Sequence, residues 1–353
     1  KCGAPVPAPS CAAPVGGTAG APTIFVFQPD YHEPNVQQAN LGLEYQIQPT
    51  LSVQINYLWV KGTHLTRTRD INLQGPETQT VIGLVGSTRT FTLNRILQPR
   101  PISAFARIEE FQSSANSIYN GLTIQLNKRF SQNYQFLASY TFGKVIDDNP
   151  DATSVVPFSG DDAKMVQDPL NLRGDRAAGV NDQRHRFVLS AIWDLNSYAH
   201  GLPAWERYVL GGWQLSGILT AQSGQPYSGI VNFDLNNDGN NRTDRTPGRG
   251  RDTFYLPNFV SLDPRITKSF PITERVTVQL IAEAYNSFNR VNYTSVSTTE
   301  FNASTMVCGS TVNPNLCLAP IPTTKAQFQS PFSTSLNFGP GSRIVQLSGK
   351  ITF

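Results

Sequence analysis

The sequence has few charges and no long apolar run. Charged residues make up 15% of the 353 positions, well below the roughly 25% of a typical soluble domain. No stretch approaches the about 18 consecutive apolar residues that a membrane-spanning helix needs. Apolar residues, at 39%, do not replace the missing charge, so uncharged polar side chains must cover much of the surface. These shortages exclude a helical membrane protein and disfavour an ordinary soluble domain.

Motifs of the common enzyme classes are also missing. The sequence contains no G-x-S-x-G, no phosphate-binding Walker loop and no H-E-x-x-H zinc motif, and its four histidines are scattered. The net charge of +3 is too small and too dispersed for a nucleic-acid surface. We therefore expect no enzyme, no nucleic-acid partner and no cofactor, apart from a structural calcium ion considered below.

The chain begins with neither methionine nor an apolar export signal, so an exported protein with this sequence would be a mature or truncated chain. Cysteines are few, and they form two pairs, Cys2 with Cys11 and Cys308 with Cys317. Both pairs lie in loop-like segments, which predicts two local disulfides in an oxidising compartment. Four unpaired thiols are the alternative. The wide spacing, with no histidine nearby, disfavours zinc.

What the sequence does contain is a repeated two-residue alternation of apolar and polar side chains. In the last run the apolar or small residues are Val345, Leu347, Gly349, Ile351 and Phe353. Successive strand side chains point to opposite faces, so each run predicts a strand with one apolar and one polar face. Similar runs begin near residues 41, 51, 122, 134, 185, 213, 260 and 276. The nine strands, at about nine residues or more each, are long enough to cross a bilayer at a tilt.

Connections between these runs alternate in length. Tight or moderate ones fall near residues 48, 131, 200 and 272, and long ones span about 62–102, 148–182, 225–257 and 290–342. Transmembrane barrels sort their connections in this way, with short periplasmic turns and long external loops. Aromatic residues near the strand ends suit two interfacial girdles, although the core of a soluble β-sandwich would also hold them. The predicted fold class is all-β, an antiparallel transmembrane β-barrel segment.

An odd number of strands predicts an incomplete sheet. A free strand edge cannot exist in hydrocarbon, because each unpaired N–H or C=O group costs several kcal/mol. Residues 23–28 could form a further strand, but about six residues are short for a crossing. We therefore divide the chain into a Pro- and Gly-rich loop or linker over residues 1–35 and a barrel portion over residues 36–353, with earlier strands upstream.

An ordered series of motifs resembles the TonB-dependent outer-membrane receptors, in particular the Oar-like group that carries a carboxypeptidase-regulatory-like domain. The motifs are KGTHL at 61–65, RDIN at 69–72, YNGL at 119–122, KRFS at 128–131, ASYTF at 138–142 with Lys144 and Asp147-Asp148, DQRHRF at 182–187, GGWQLSG at 211–217, NSFN at 286–289 and the terminal Phe353. The resemblance runs from about residue 36 to the end. The ordered series is far more specific than any single motif.

This resemblance implies a barrel of about 22 strands filled by an amino-terminal plug, with a segment that engages an energising inner-membrane complex. The chain would supply the last nine or so strands of a transporter in the bacterial outer membrane, for an unidentified substrate. Its partners would be outer-membrane lipid, the plug and upstream strands, the barrel-assembly machinery and, through the missing amino-terminal part, the inner-membrane complex. Phe353, with Ile351 on the same face, would be the assembly signal.

Two rival interpretations stay open at this point. One is a complete, porin-like barrel of ten strands with an open channel. The other is a soluble secreted β-sandwich adhesin with calcium-stabilised loops. Loop sorting favours a membrane barrel, because a sandwich has no reason to place all short turns at one end.

The sharpest local motif matches the opening D-x-[DN]-x-[DN]-G of a calcium loop. The candidate ligands are Asp234, Asn236, Asp238, Asn240 and Asp244. Gly239 permits the backbone reversal, but Arg245 stands where the loop's last position usually has a bidentate Glu. An Asx-rich turn that caps itself by hydrogen bonds is the alternative.

Polar residues on the predicted inner face would line an aqueous interior or hold the plug. Those singled out are Arg129, Arg184, Arg186, Gln214, Gln279 and Glu283. Four arginines after the calcium motif could bind an acidic ligand or a lipopolysaccharide phosphate, while a solvated loop balanced by nearby aspartates is the plainer account. They are Arg242, Arg245, Arg249 and Arg251.

Overall fold

The computed structural model describes residues 21–75, 80–84, 90–148, 165–199, 201–240, 243–304, 317–320, 331–334 and 342–353. These residues form twenty strands, two short 3-10 turns and one α-helix, α1 (Ala204–Leu210). The strands are β1 Thr23–Phe27, β2 Asn35–Gln48, β3 Leu51–Asp70, β4 Thr80–Leu84, β5 Thr90–Leu93, β6 Arg107–Ser131, β7 Tyr134–Asp147, β8 Ala177–Ala178, β9 His185–Asp194, β10 Trp213–Gln222, β11 Pro226–Tyr227, β12 Ile230–Asn232, β13 Phe254–Tyr255, β14 Phe259–Pro271, β15 Thr277–Tyr285, β16 Tyr293–Val296, β17 Thr299–Ser304, β18 Cys317–Pro320, β19 Pro331–Thr334 and β20 Ile344–Thr352.

One large sheet organises the chain. Its path runs β2-β3-β6-β7-β9-β10-β14-β15-β20, and every neighbouring pair along it is antiparallel. The strands of this path occur in the same order along the chain, so successive long strands are neighbours in space, as in an up-and-down barrel wall. The all-β, antiparallel prediction is confirmed, and the path has the nine long strands that the alternation predicted.

The sheet does not close on itself. Within the described ranges, no strand pairs with the outer edge of β2 or of β20. Every residue of both strands is exposed, on both faces. The structure is therefore an arc of a barrel with two unpaired edges.

The short strand β1 does not extend either edge. It runs parallel to the beginning of β6, from the pair Thr23 and Arg107 to the pair Phe27 and Phe111. The region 1–35, predicted to be loop or linker, thus contains this strand, and residues 1–20 lie outside the described part. A tenth crossing strand is not formed by residues 23–28.

The apolar face of the sheet points outward. Ile55, Ile124 and Ile266, on strands that are paired on both sides, are 41%, 41% and 43% exposed, whereas a β-sandwich would bury such residues between two sheets. The buried apolar cluster that the structure does describe, Val231, Leu235 and Phe301, lies among the loops. This arrangement matches a wall with an apolar exterior rather than a soluble sandwich.

Short turns lie at one end of the sheet, here called the turn end. The β6–β7 turn uses Gln132 and Asn133 at φ of 53° and 71°, the left-handed backbone that tight hairpins require. At the opposite end, the loop end, small strands pair with one another. They form a five-stranded sheet, β12-β17-β18-β4-β5, and the pairs β11-β13 and β16-β19.

Among the described residues no helix is long and apolar enough to span a membrane.

Candidate functional site: the inner wall and the loop layer

The inner face of the sheet is mostly polar, as the alternation predicts, although Leu137, Ile218 and Ile281 also lie in the inner register. Gln279 donates a hydrogen bond to Ser269 at 3.2 Å, and a further cross-strand pair, Arg265 and Glu283, forms an ion pair at 3.2 Å. Gln214 lies on the same face, between Asp194 and Thr267. Such a face suits water or a polar protein surface, because its side chains already hydrogen-bond across strands.

Three predicted inner-face arginines differ in their surroundings. Arg186 lies within β9 and is exposed. Arg184 lies just before β9 and pairs with the buried Asp182 at 2.8 Å, so its charge is already engaged. Arg129 is exposed at the turn end, where the β6–β7 pairing shifts register. Arg186, near the loop end of β9, is therefore the predicted inner-face arginine best placed to meet a partner in the lumen.

The loop end is held together by buried arginines, in what we call the loop layer (residues 94–108, 165–184 and 223–252). Arg251, only 3% exposed, pairs with Asp147 at the end of β7 and with Asp252 at 3.2 Å. Its Nε also donates to the carbonyl of Asp175 at 2.8 Å. Arg245 pairs with the carboxylate of the same Asp175. One aspartate therefore links two arginines from a distant loop.

Further pairs tie this layer to the strands. Arg67 of β3 pairs with Asp148 at 3.1 Å. Arg100 contacts both the Asp70 carboxylate and the Asp238 carbonyl, and so joins β3 to the 233–240 turn. A buried charge is costly unless it is paired and hydrogen-bonded. The loops are therefore fixed by charge complementarity as well as by apolar packing.

These contacts correct the sequence-based interpretation of the arginine-rich segment. Arg245 and Arg251 are neither solvated nor free to bind an anion, because aspartates within the chain neutralise both. Arg249 is 39% exposed and pairs with Glu300 at 2.8 Å. Arg242 lies outside the described residues.

The predicted calcium loop folds as a turn that accepts its own backbone hydrogen bonds. Gly239 N–H donates to Asp234 at 3.0 Å, and Asn240 N–H donates to Asp238 at 2.7 Å. Asn236 accepts a hydrogen bond from the backbone of Asp238 at 3.1 Å. Gly239 has a φ of 88°, a left-handed conformation that glycine adopts without strain. These are the bonds of a self-capped Asx turn.

The carboxylates of Asp238 and Asp244 are nevertheless buried in and beside this turn, at 5% and 0% exposure. Burial raises the pKa of Asp238 to about 7, and the nearby Asp234 carboxylate adds to the rise. Burial raises the pKa of Asp244 to about 8, with Asp238 the next contributor. One oxygen of Asp234 and one of Asp244 are buried without a hydrogen-bond partner. In the part of the chain that the structure describes, no three histidine, cysteine or carboxylate side chains are grouped to hold a metal, so calcium would need amide or backbone oxygens as well.

The remaining predicted sites stay predictions. Cys2, Cys11 and Cys308 lie outside the described residues, and the structure gives only the backbone of Cys317 in β18. Ile351 lies in β20, 64% exposed, and Phe353 is 96% exposed just beyond it.

Several residues of this region could not be singled out from the sequence. Asp175 pairs with Arg245 across 70 residues, and Glu300 accepts a hydrogen bond from Thr246 across 54 residues and pairs with Arg249, and no local motif marks either carboxylate. A polar cavity of about 270 Å³ beside Asn171, Asp244 and Arg245 likewise depends on loops that meet only in the folded chain. Arg265 could have been identified from the sequence as an inner-face residue, because it occupies the polar register of its strand.

Comparison with known proteins gives one family and several similar structures. The family described as "Outer membrane beta barrel domain" matches residues 2–253 and 245–316. The outer membrane transporter YddB from Escherichia coli is 9% identical, with a TM-score of 0.48, over 80% of this chain and 32% of that one. P. aeruginosa FpvA in complex with a heterologous pyoverdine and iron is 10% identical, with a TM-score of 0.44, over 90% and 27%. The chain thus spans a third or less of these structures' length, and a search of curated proteins finds no match.

Removing the Arg251 charge should loosen the loop layer. Arg251→Met leaves Asp147 and Asp252 without their cation, and breaking a buried pair costs about 3–5 kcal/mol. We expect limited proteolysis of the loops to accelerate by more than tenfold. The matched control is Arg249→Met, whose half-exposed pair is worth about 1 kcal/mol or less. Equal protease sensitivity of the two variants would contradict a clamp at Arg251.

Calcium binding is testable by the same protease assay. If the sequence prediction holds, Ca²⁺ protects the 233–252 segment with an affinity of about 10⁻⁴–10⁻³ M, as in extracellular modules. We expect Asp238→Asn to abolish the protection and Asp168→Asn, outside the motif, to leave it intact. Protection that is the same in Ca²⁺ and in a chelator would leave the self-capped turn as the whole explanation.

Proposed function

The chain belongs to the family of outer membrane beta barrel domains, and from that premise we propose that it is the carboxyl-terminal barrel part of a TonB-dependent transporter of the Oar-like group. The family places the protein in the bacterial outer membrane. We also propose that the whole protein takes up a substrate with energy from an inner-membrane complex. It would do so through a plug and a segment that engages this complex. We propose no enzymatic role.

The observation that carries the proposal is the open nine-stranded wall. Within the described residues, no strand pairs with the outer edges of β2 and β20, and unpaired backbone groups cost several kcal/mol each in hydrocarbon. Further strands must therefore pair with them in the membrane, and we propose that upstream strands of the same protein do so. Residues 36–353 would then be one barrel portion, inserted by the barrel-assembly machinery with Phe353 and Ile351 as the signal.

The polar inner wall is compatible with the proposed plug. Gln279, Glu283 and Arg265 lie in the inner register of β14 and β15, with Ile281 between Gln279 and Glu283, and Arg186 adds an exposed positive charge on β9. Polar groups of this kind can bind a folded polar domain through cross-surface hydrogen bonds and ion pairs. The substrate class does not follow from this wall, since its residues are generic.

A complete ten-stranded porin is the rival function. It would need a tenth strand to join the two edges, and β1 instead lies along β6.

Lipid contact on the outer face gives a direct prediction. Leu219 of β10 lies in the outward register between Leu189 and Leu262, near the middle of the crossing. Leu219→Arg should lower the free energy of unfolding in lipid by about 2–4 kcal/mol, measured by urea titration of the heat-modifiable gel band. Thr220→Arg, one residue along and facing inward, should change it little. A similar loss in both variants would contradict the assigned faces.

Plug binding tests the proposed function itself. In the full-length protein, Arg186→Glu should weaken the hold on the plug, because it reverses a charge on the lumen wall. We expect several-fold faster tryptic release of the plug and a higher single-channel conductance in planar bilayers. Arg207→Glu, on the exposed helix α1 outside the wall, is the control. An equally high conductance in wild type and variant, without a protease-released plug, would favour the porin-like barrel instead.

A further inference from the structure

Lys268 occupies an unexpected position on the outer face. It stands on β14 in the same register as Ile266 and Phe270, which face outward, yet it is only 6% exposed. Its Nζ donates hydrogen bonds to the carbonyls of Tyr208 at 2.9 Å and Val209 at 3.0 Å, and to that of Gly211. These are carbonyls at the carboxyl end of α1, which lack partners within the helix. The cation is therefore satisfied by backbone oxygens rather than by water.

Helix α1 is held against the outside of the wall by this contact. Trp213 Nε1 donates to the Val209 carbonyl at 3.1 Å, and the ring of Tyr208 packs 5.5 Å from that of Phe270. The rest of the helix offers large apolar side chains outward, with Trp205 71% and Leu210 56% exposed. Aromatic and apolar side chains on a short helix beside a barrel wall suit the headgroup level of a bilayer.

A groove of about 640 Å³ runs beneath the helix along the wall. Its floor has bulky residues at Leu280 and Leu347 and small ones at their cross-strand partners, Gly349 and Ala282. The small residues create the hollow, and Ile266 borders it on the β14 side. The floor continues directly into the outward apolar face of β15 and β20.

We propose that this groove binds one acyl chain of a phospholipid from the leaflet at the turn end. Its lining is almost wholly apolar, and it is continuous with the lipid-facing wall, so a hydrocarbon chain enters it without leaving the bilayer. The ammonium group of Lys268 already donates to three carbonyls, so the groove offers a headgroup no free hydrogen-bond donor from this side chain. The short turns place this end in the periplasmic leaflet, where α1 covers the groove from the water side.

The proposal depends on the outer-membrane location and not on transport. The test for bound lipid is therefore independent of the plug-release test of Arg186→Glu. A negative result in one leaves the other proposal standing. A second copy of the chain, or another segment of the same protein, are the occupants that the test must distinguish from lipid.

The experiment is native mass spectrometry of the full-length protein extracted in mild detergent. Wild-type protein should retain one phospholipid. Ala282→Phe fills the hollow, and we expect the retained fraction to fall about tenfold, a change of about 1.4 kcal/mol. Ala284→Phe is the matched control, because it lies on the same strand and face, opposite Val345, but outside the groove. It should retain lipid as wild type does.

Gly349→Leu is a second filling variant that the backbone tolerates, since the nearest atom to an added Cβ is 4.0 Å away. It should lose lipid as Ala282→Phe does, with the heat-modifiable gel shift showing that each variant is assembled. Wild-type protein without retained phospholipid would overturn the proposal. Equal retention in all variants, or retained lipid replaced by a dimer, would overturn it as well.

Discussion

Backbone hydrogen bonding in hydrocarbon is the constraint on which the rest of the structure depends. Each long strand between β3 and β15 has a partner on both sides, so its N–H and C=O groups are satisfied without water. Side chains are then free to divide by face, apolar toward lipid and polar toward the interior. A conventional buried core is unnecessary in such a wall, and the described part of the chain has a small one, Val231, Leu235 and Phe301, among its loops.

The strands could be predicted because their signal is local. A period of two, repeated with short turns at fixed places, identifies a half-apolar strand without knowledge of its neighbours. The small strands of the loop end have no such signal. β12 pairs with β17 about 70 residues away, and β4 with β18 more than 200 residues away, so their pairing depends on the completed wall. The parallel docking of β1 on β6 was missed for the same reason.

The candidate site divides in the same way. Arg186 and Gln279 follow from the alternation, since the polar register of a crossing strand faces inward. The pairs Arg245–Asp175 and Arg251–Asp147 do not, because their partners are 70 and 104 residues apart in sequence. Lys128 and Lys268 show the limit of the pattern most clearly. Both stand in the outward register, and both are buried, with oxygen partners and an aromatic ring that satisfy the cation.

The clamp at the end of β7 has a consequence for the order of assembly. Asp147 and Asp148 are adjacent at the end of β7 and pair with Arg251 and Arg67 respectively. If β7 slipped by one residue against β6, both carboxylates would move by about 3.3 Å along the strand, and both guanidinium groups would lose their partners. These contacts of the loop layer therefore form only once β6 and β7 are aligned as they are in the structure.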